Sequence, residues 1–447
     1  MRLFTSSWTA PASVMSALAL AACSSNTNSA ASETPAPKAG CCSPTVLANG
    51  LRIAERYRVA SITRRRFNHA ELWRAIAPYT SSSALVTREI GRSVQGREIR
   101  SVSFGTGPIT VLLWSQMHGD EATATMALAD IFRFLAEAKG DSLRERLSRA
   151  LTIVAVPMLN PDGAELFQRE NAIGVDINRD GRRLATPEAR ALKALRDSLH
   201  PQFGFNLHDQ GARTRVGDHG LPAAIALLAP AYDEARSYNE VRSRARLVAA
   251  TIATTLNGEI TGRIARYDDT FNPRAFGDLM QQWGTSTVLI ESGALPGDPE
   301  KQHLRALNVA ALLAALDAIA TGSYHAAPES VYESLAYNVT GTNDVLVLGG
   351  QLVLPGRKAL LADIAINYDE SLARTGGRIR DVGDLQAAVG IDTLDATGLF
   401  IHPSAGSLTT RDGQSWLRLG APAVFELRKG ASPSSELVRR ISVNGTR

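Results

Sequence analysis

Four separated segments and one later glutamate stand out in the chain: His118-Gly-Asp-Glu121, Asn160-Pro-Asp-Gly163, Gly174-Val-Asp-Ile-Asn-Arg179, His208 and Glu291. Two histidines and a glutamate are donors that leave a tetrahedral zinc ion one open position. Asp176 is placed to orient a histidine ring, Arg179 offers a fork for anionic oxygens, and Glu291 remains free to act as a base. This combination suits hydrolysis of a peptide or amide bond beside a free carboxylate. Each part also has a plainer reading. A histidine and a glutamate three apart fit a surface histidine beside a helix-capping glutamate. Asp176 fits a turn, and Glu291 fits a salt-bridged strand end. His208 shifts the balance, because it supplies a third donor at the end of a strand-like run.

The surrounding sequence predicts elements that position these groups. Ile99–Phe104, Ile109–Ser115, Leu151–Val156, Phe203–His208 and Thr285–Ile290 read as short buried strands. Amphipathic stretches at Glu121–Ala136, Pro187–Leu199, Asp233–Leu256 and Lys301–Ala320 read as helices. Apolar strands alternating with long helices imply an α/β fold whose mixed sheet is covered by helices on both faces. Ligands in such sheets sit beyond the strand ends, where His118, His208 and Glu291 fall.

With these motifs in order, the region from about residue 60 to 325 resembles the zinc carboxypeptidase superfamily. The resemblance implies that one Zn2+ is held by His118, Glu121 and His208. It implies that Glu291 takes a proton from metal-activated water and returns it to the leaving amine. Arg169, in Phe167-Gln-Arg-Glu-Asn171, matches the arginine that stabilises the oxyanion, and Asn178 with Arg179 matches the pair that grips the substrate's terminal carboxylate. Tyr267 is the nearest candidate for the substrate-capping tyrosine. The expected activity is a metallocarboxypeptidase cutting the C-terminal bond of peptides with a free C-terminus. There are departures. Asp209-Gln210 stands where the digestive enzymes have serine-tyrosine. The pocket region, Arg274-Ala-Phe-Gly-Asp278, lacks an unambiguous acid at its base, which argues against basic C-terminal residues, and Arg274 could favour acidic ones. A peptidoglycan stem-peptide amidase or endopeptidase using the same zinc site is the alternative.

The flanks point to an exported protein. Residues 1–22 carry a short apolar run that fits a signal peptide, too short to span a membrane as a mature helix. Leu20-Ala-Ala-Cys23 resembles the bacterial lipoprotein processing site, which implies lipidation of Cys23 and a place in the cell envelope, at the outer membrane by resemblance to lipoprotein sorting. Residues 23–45, rich in Ser, Thr, Ala and Pro, read as a flexible tether containing Cys41 and Cys42. The rest has no cysteine, so thiol catalysis and a disulfide scaffold are excluded there. The formal charge is +4 and well mixed, with Arg64-Arg-Arg66 as the one dense basic run, which gives nucleic-acid binding little support. The catalytic domain is expected over 46–325. A β-rich accessory domain is expected over 326–447, with short apolar runs at Val345–Leu348 and Leu352–Leu354 separated by a Gly349-Gly350 turn. This part weakly resembles the β-sandwich flank of amidohydrolases, and no chemistry follows from it. His402 reads as structural, and His69, His200, His219, His303 and His325 have no spaced partner. Nothing in the sequence indicates an oligomeric state.

Overall fold

The computed structural model describes residues 44–446 apart from 219. The signal peptide, Cys23, Cys41, Cys42 and His219 lie outside the described residues. The first helix, α1 (Pro44–Arg56), was not anticipated, and it begins inside the stretch expected to be tether. Its partner is distant in sequence. A Cβ on Gly50 would sit 2.7 Å from the Ala310 Cα, so a glycine here lets α1 lie directly on a later helix. Helix α2 (His69–Thr80) starts at a capping box in which Asn68 and Glu71 satisfy each other's backbone amides.

The strands β1 (Val86–Arg92), β2 (Glu98–Phe104) and β3 (Ile109–Ser115) follow, then α3 (Thr123–Glu137), α4 (Ser142–Ala150) and β4 (Leu151–Val156). Next come α5 (Pro161–Leu166), α6 (Pro187–Leu199), β5 (Phe203–Asp209), β6 (Arg215–Val216) and β7 (Ile225–Leu228). Helix α7 (Glu240–Leu256), β8 (Ile264–Arg266), α8 (Phe276–Gln282), β9 (Ser286–Ser292) and α9 (Gln302–Thr321) complete an α/β unit. Its sheet has the order β1-β2-β4-β3-β5-β9-β7-β8, parallel through β4, β3, β5 and β9 and antiparallel where β2 meets β4 and β7 meets β9. The expected mixed sheet is therefore present. The helix expected from Asp233 begins only at Glu240. The Asn239 side chain accepts from the Arg242 amide to cap it, and Asp233 accepts from the Ser237 amide in the loop before it.

Alternation along the strands divides the sheet's two faces. Val111, Leu113, Ile153 and Ala155 share a core with α3, α7 and α9, whereas Leu112, Trp114, Val154 and Val156 pack with α6 and α8. Among the described residues, only α9 is long and apolar enough to cross a membrane. It is mostly buried and packs against α1, α3, α4 and α7, so its composition is that of a core helix.

A buried ion pair fastens the N-terminal segment to this core. Arg305, 1 % exposed, donates from Nε to Asp130 Oδ2 at 2.6 Å and from Nη1 to the Ile62 carbonyl at 2.6 Å, while Asp130 Oδ1 accepts from the Val59 amide at 2.7 Å. Removing one partner strands a buried charge, which costs about 3–5 kcal/mol. Asp130→Ala is accordingly expected to lose that much stability in denaturant melts, and a loss under about 1 kcal/mol would show that water reaches Arg305.

The C-terminal region is β-rich and has its own core. Helix α10 (Glu329–Glu333) and β10 (Asn338–Val339) still belong with the α/β unit. The Ala229 amide donates to the Tyr332 hydroxyl at 2.9 Å, and β10 pairs with β6. Then follow β11 (Asn343–Leu352), β12 (Leu360–Glu370), β13 (Thr375–Gly383), β14 (Gly390–Asp395), β15 (Phe400–Pro403), β16 (Leu408–Arg411), β17 (Gln414–Leu417), β18 (Phe425–Arg428), β19 (Leu437–Ser442) and β20 (Gly445–Thr446). The second large sheet runs β13-β12-β11-β15-β18-β19-β20, with β14 also pairing β11. Gly349-Gly350 is not the expected turn. It forms an irregularity within the continuous strand β11, where Gly349 has φ +74° and a Cβ on Gly350 would lie 2.4 Å from the Ile401 Cδ1. His402 is structural, with Nε2 donating to the Gly430 carbonyl at 3.0 Å.

Candidate metal centre

The groups of interest stand at the C-terminal ends of β3, β5 and β9. Gln116 follows β3 with φ +49°, and its side-chain amide donates to the Gly119 carbonyl at 2.9 Å, holding the tight turn that presents His118 and Glu121. A Cβ on Gly119 would lie 2.0 Å from the Gly163 carbonyl carbon, so only glycine lets this turn touch the Asn160–Gly163 loop. That loop is a scaffold. Asn160 Oδ1 accepts from the Gly163 amide at 2.9 Å, and Asp162 accepts from Ser93 Oγ at 2.8 Å and Arg97 Nη1 at 2.6 Å. In the β5–β9 register His208 pairs with Glu291, so parallel pairing carries these two residues side by side to the sheet rim.

His118, Glu121 and His208 meet there, all buried, with potential ligand atoms within 4.8 Å of one another. Glu121 Oε1 is 2.8 Å from His118 Nδ1, Glu121 Oε2 is 2.7 Å from His208 Nδ1, and the two Nδ1 atoms are 3.2 Å apart. His118 Nε2 donates to Asp176 Oδ1 at 3.0 Å, which leaves the lone pair on Nδ1. Nitrogen and carboxylate lone pairs thus converge on one point, an arrangement that calls for a cation between them. The His2Glu donor set and its compact spacing fit one zinc ion with a position left open.

Charge around this point is strongly coupled. Burial opposes ionisation of Glu121, but the two histidines outweigh it and hold its carboxyl well below the usual range. Burial likewise opposes protonation of His118, yet Glu121 and Asp176 push it up to about 9, so a cation binding at Nδ1 must displace a proton from it. For Asp176, burial is overcome by the His118 hydrogen bond and the Arg169 charge, and its carboxyl stays ionised far into acid. Glu291 differs. Burial and the neighbouring Glu121 charge raise it well above an ordinary glutamate, and its Oε2 has no hydrogen-bond partner among the described residues.

The other expected residues line the same cavity of about 350 Å³: Arg169, Asn178, Arg179 and Tyr267. Arg169 donates from Nη2 to Asp176 Oδ2 at 3.0 Å, and its Nη1 lies 3.2 Å from Glu121 Oε1. Asp176 accepts from the Asn178 amide at 2.8 Å and caps the short turn Ile177–Arg179, while Asn178 Oδ1 accepts from the Phe276 amide at 2.9 Å. Burial, then the Glu291 charge, push the Tyr267 hydroxyl up to about 12, so it remains a donor at any working pH.

Several residues escaped the sequence reading. Lys301, buried and with φ +52°, donates to Asp209 Oδ2 and to the Ser292 carbonyl, both at 3.0 Å, and so braces the two strand ends from behind. Its sequence context gives no signal of this. Asn206 turns toward the cavity with neither side-chain atom partnered. The segment Arg274–Asp278 divides where α8 begins. Arg274 is exposed in the turn before α8 and does not line the cavity, whereas Asp278, in the first turn of that helix, does. An acid is therefore present.

Burial pushes the Asp278 carboxyl from 3.8 up to about 7. Between those values the folded chain keeps a proton that the unfolded chain has released, so stability falls as pH rises through the window. Asp278→Asn is expected to match the parent below pH 4 and to exceed it at pH 8 by on the order of 2 kcal/mol. Identical melting curves at pH 8 would mean that the carboxylate is solvated.

The zinc carboxypeptidase family model matches residues 76–214, which hold two of the three donors at His118 and Glu121 and the third at His208. The match thus covers the part of the α/β unit that carries the three donors. Carboxypeptidase 2 of Trichophyton rubrum is 29% identical over 109 residues, 24% of this chain and 20% of the relative. Carboxypeptidase SOL1 of Arabidopsis thaliana is 27% identical over 128 residues, 27% of this chain and 26% of the relative. The match thus spans about a fifth to a quarter of these relatives' length. Among solved structures, a metallo-carboxypeptidase from Burkholderia cenocepacia superposes with TM-score 0.46 at 18% identity, over 58% of this chain and 70% of that one. The carboxypeptidase A of Helicoverpa armigera gives 0.43 at 16% identity, over 60% and 81%.

Proposed function

We propose, from the superfamily pattern in the α/β unit, that this chain is a zinc-dependent carboxypeptidase hydrolysing the C-terminal bond of peptides. The observation that carries the reading is the meeting of a His2Glu donor set, an unpartnered buried glutamate and the Asn178-Arg179 pair in one cavity. A zinc ion held by His118, Glu121 and His208 supplies a Lewis acid that polarises the scissile carbonyl and lowers the pKa of water.

The chain's own groups do the rest. Arg179 and Asn178 hold the substrate's terminal carboxylate, a task suited to a guanidinium fork. Arg169, steadied by Asp176, points Nη1 toward the donor set and stabilises the oxyanion that develops there. Glu291 takes the proton of the attacking water at its free Oε2. As the C–O bond forms and the C–N bond breaks, it passes that proton to the leaving amine. Tyr267 closes the cavity over the departing residue.

Mass spectrometry of products from free-C-terminal peptides, amidated copies and muramyl stem peptides tests this. Loss of single residues from the free acids alone is expected, and cutting of amidated or stem peptides would instead support the amidase or endopeptidase alternative. We also read Leu20-Ala-Ala-Cys23 as a lipid-attachment site that tethers the enzyme in a bacterial envelope. Cys23→Ala is then expected to move the protein from the membrane fraction to the soluble one, and no change in fractionation would remove the anchor.

A further inference from the structure

The mixing of charge along the chain has one exception, and it lies where the described residues begin. Residues 44–66 hold six arginines and a single acid, Glu55, a net +5 against +4 for the whole sequence, so the remainder sums to −1. Arg52, Arg56, Arg58, Arg64 and Arg66 are exposed, and among the described residues Arg65 alone of the six has a carboxylate partner. That partner is Glu370, whose Oε2 accepts from Arg65 Nη2 at 2.9 Å.

Contacts with the start of α9 gather this charge in space. Arg58 donates to the Gln302 side chain, and the Arg65 amide donates to Glu300 Oε2 at 2.9 Å. Arg305 donates to the Ile62 carbonyl at 2.6 Å and to the Val59 carbonyl at 3.2 Å. The stretch from Arg58 to Arg65 therefore wraps one helix end. On α1, Arg52 and Arg56 are four apart and share a face, with Leu47, Gly50 and Ala54 buried on the other.

Arg64, Arg65 and Arg66 also line a cavity of about 350 Å³ together with Phe167, Glu300 and Glu370. Arg65 and Glu370 neutralise each other there, which leaves Arg64 and Arg66 against Glu300. The guanidinium carbons of Arg65 and Arg66 lie 5.2 and 5.5 Å from the Phe167 ring centre. Stacking of this kind orders the planar fork and leaves its N–H groups available to phosphate oxygens. Leu166, just before the ring, is 62 % exposed. Unpaired guanidiniums beside an exposed apolar side chain suit the boundary between lipid headgroups and acyl chains.

The position in the chain points the same way. Pro44 lies 21 positions after Cys23, so the basic segment is the described part nearest in sequence to the proposed lipid-attachment site. A lipid anchor and a basic patch acting together bind far more firmly than either alone. We propose that the arginines of residues 44–66 dock on a membrane surface bearing anionic phospholipids, with a headgroup phosphate taken up in the cavity of Arg64, Arg66 and Phe167. Arg65 and Glu370 also border the space beside Glu121 and Arg169, so a protein docked this way holds its metal centre alongside the bilayer. The inference goes beyond the peptidase reading and survives its failure.

The test is sedimentation of the full chain bearing Cys23→Ala, which cannot be acylated, with vesicles of phosphatidylcholine alone or with about one third phosphatidylglycerol. At about 0.05 M salt the anionic vesicles are expected to bind about tenfold or more tightly, and at about 0.5 M salt the two should converge. Any contribution of the apolar run in residues 14–22 is common to both lipids and leaves their ratio unchanged. Arg64→Gln/Arg66→Gln is expected to lower that ratio about fivefold or more, while its melting temperature and its rate on soluble peptides hold. Arg418→Gln/Arg439→Gln removes the same charge from exposed arginines of the β-rich region and is expected to leave the ratio within about twofold. Equal binding to both vesicles, a preference that salt leaves intact, or the same loss from both arginine pairs would each overturn the proposal. Binding to polyglutamate without binding to anionic vesicles would overturn it in favour of an acidic protein partner. Acylation is absent throughout, so none of these outcomes depends on Cys23, which is tested by fractionation alone.

Discussion

Glu291→Gln is expected to lower kcat on free-C-terminal peptides by on the order of 10³-fold while the chain still binds one zinc ion. The amide keeps the size of the side chain and leaves His118, Glu121 and His208 in place, but it cannot accept and return a proton. Glu291 is 7 % exposed, and its Oε2 is buried and meets no donor among the described residues. Burial raises it well above an ordinary glutamate, with the Glu121 charge adding to the effect. A folded-state pKa raised in this way means that stability is lost as pH rises from the unfolded value toward the folded one. At neutral pH the variant should therefore melt no lower than the parent, and it may be compared directly by calorimetry. A large loss of kcat with an unchanged or raised melting temperature is the signature of a group kept for chemistry at the expense of stability. If activity stayed within about tenfold of the parent, proton transfer would belong to another group. If zinc content or melting temperature fell alongside kcat, Glu291 would be a structural residue.

Much of this site was legible because strand ends and ligands lie close together in sequence. His118 follows β3 by a short turn, His208 lies within β5, and Glu291 lies within β9, so finding three buried apolar runs was enough to put three groups on one sheet rim. The strands themselves announce their position. β5 and β9 are buried along almost their whole length, and such runs occur where both faces of a sheet are covered. Asp176 was foreseen as a support for His118 because it precedes Asn178-Arg179 in one motif.

What was missed depends on contacts between distant segments. Lys301 sits just before α9 and reaches Asp209 only because that helix packs beneath the sheet. Asp278 and Arg274 are four residues apart, and the direction each takes was decided by where α8 begins, which no local signal fixed. Helix α1 escaped notice for the same reason: its apolar face has meaning only against α9, where Gly50 meets Ala310. The β-rich region looked remote from the chemistry because its strands were read without their register to the α/β unit. The bonds of Arg65 to Glu370 and of Arg213 to Asp344 and the Tyr368 carbonyl are what bring that region to the cleft.

Arg179→Ala is expected to reduce kcat/KM on free-acid peptides by about 10²–10³-fold, the loss of roughly 3–4 kcal/mol that follows when one partner of a desolvated charge pair is truncated. The geometry supporting this is rigid. Asp176 caps the turn Ile177–Arg179, and Asn178 Oδ1 ties that turn to the first amide of α8, so the guanidinium is carried by backbone fixed at both ends. The same helix brings Asp278 to the cavity, so the turn bearing Arg179 and the Asp278 side chain share one platform. Arg179→Lys should recover only part of the loss, because an ammonium cannot make two parallel hydrogen bonds to a carboxylate. The decisive quantity is the ratio of rates on a free-acid peptide and its amidated copy. In the parent that ratio should be large, and Arg179→Ala should collapse it by slowing the acid while leaving the amide where it was. A parent ratio near one would remove the clamp from the mechanism, leaving the zinc donors and Glu291 to serve an amidase or endopeptidase.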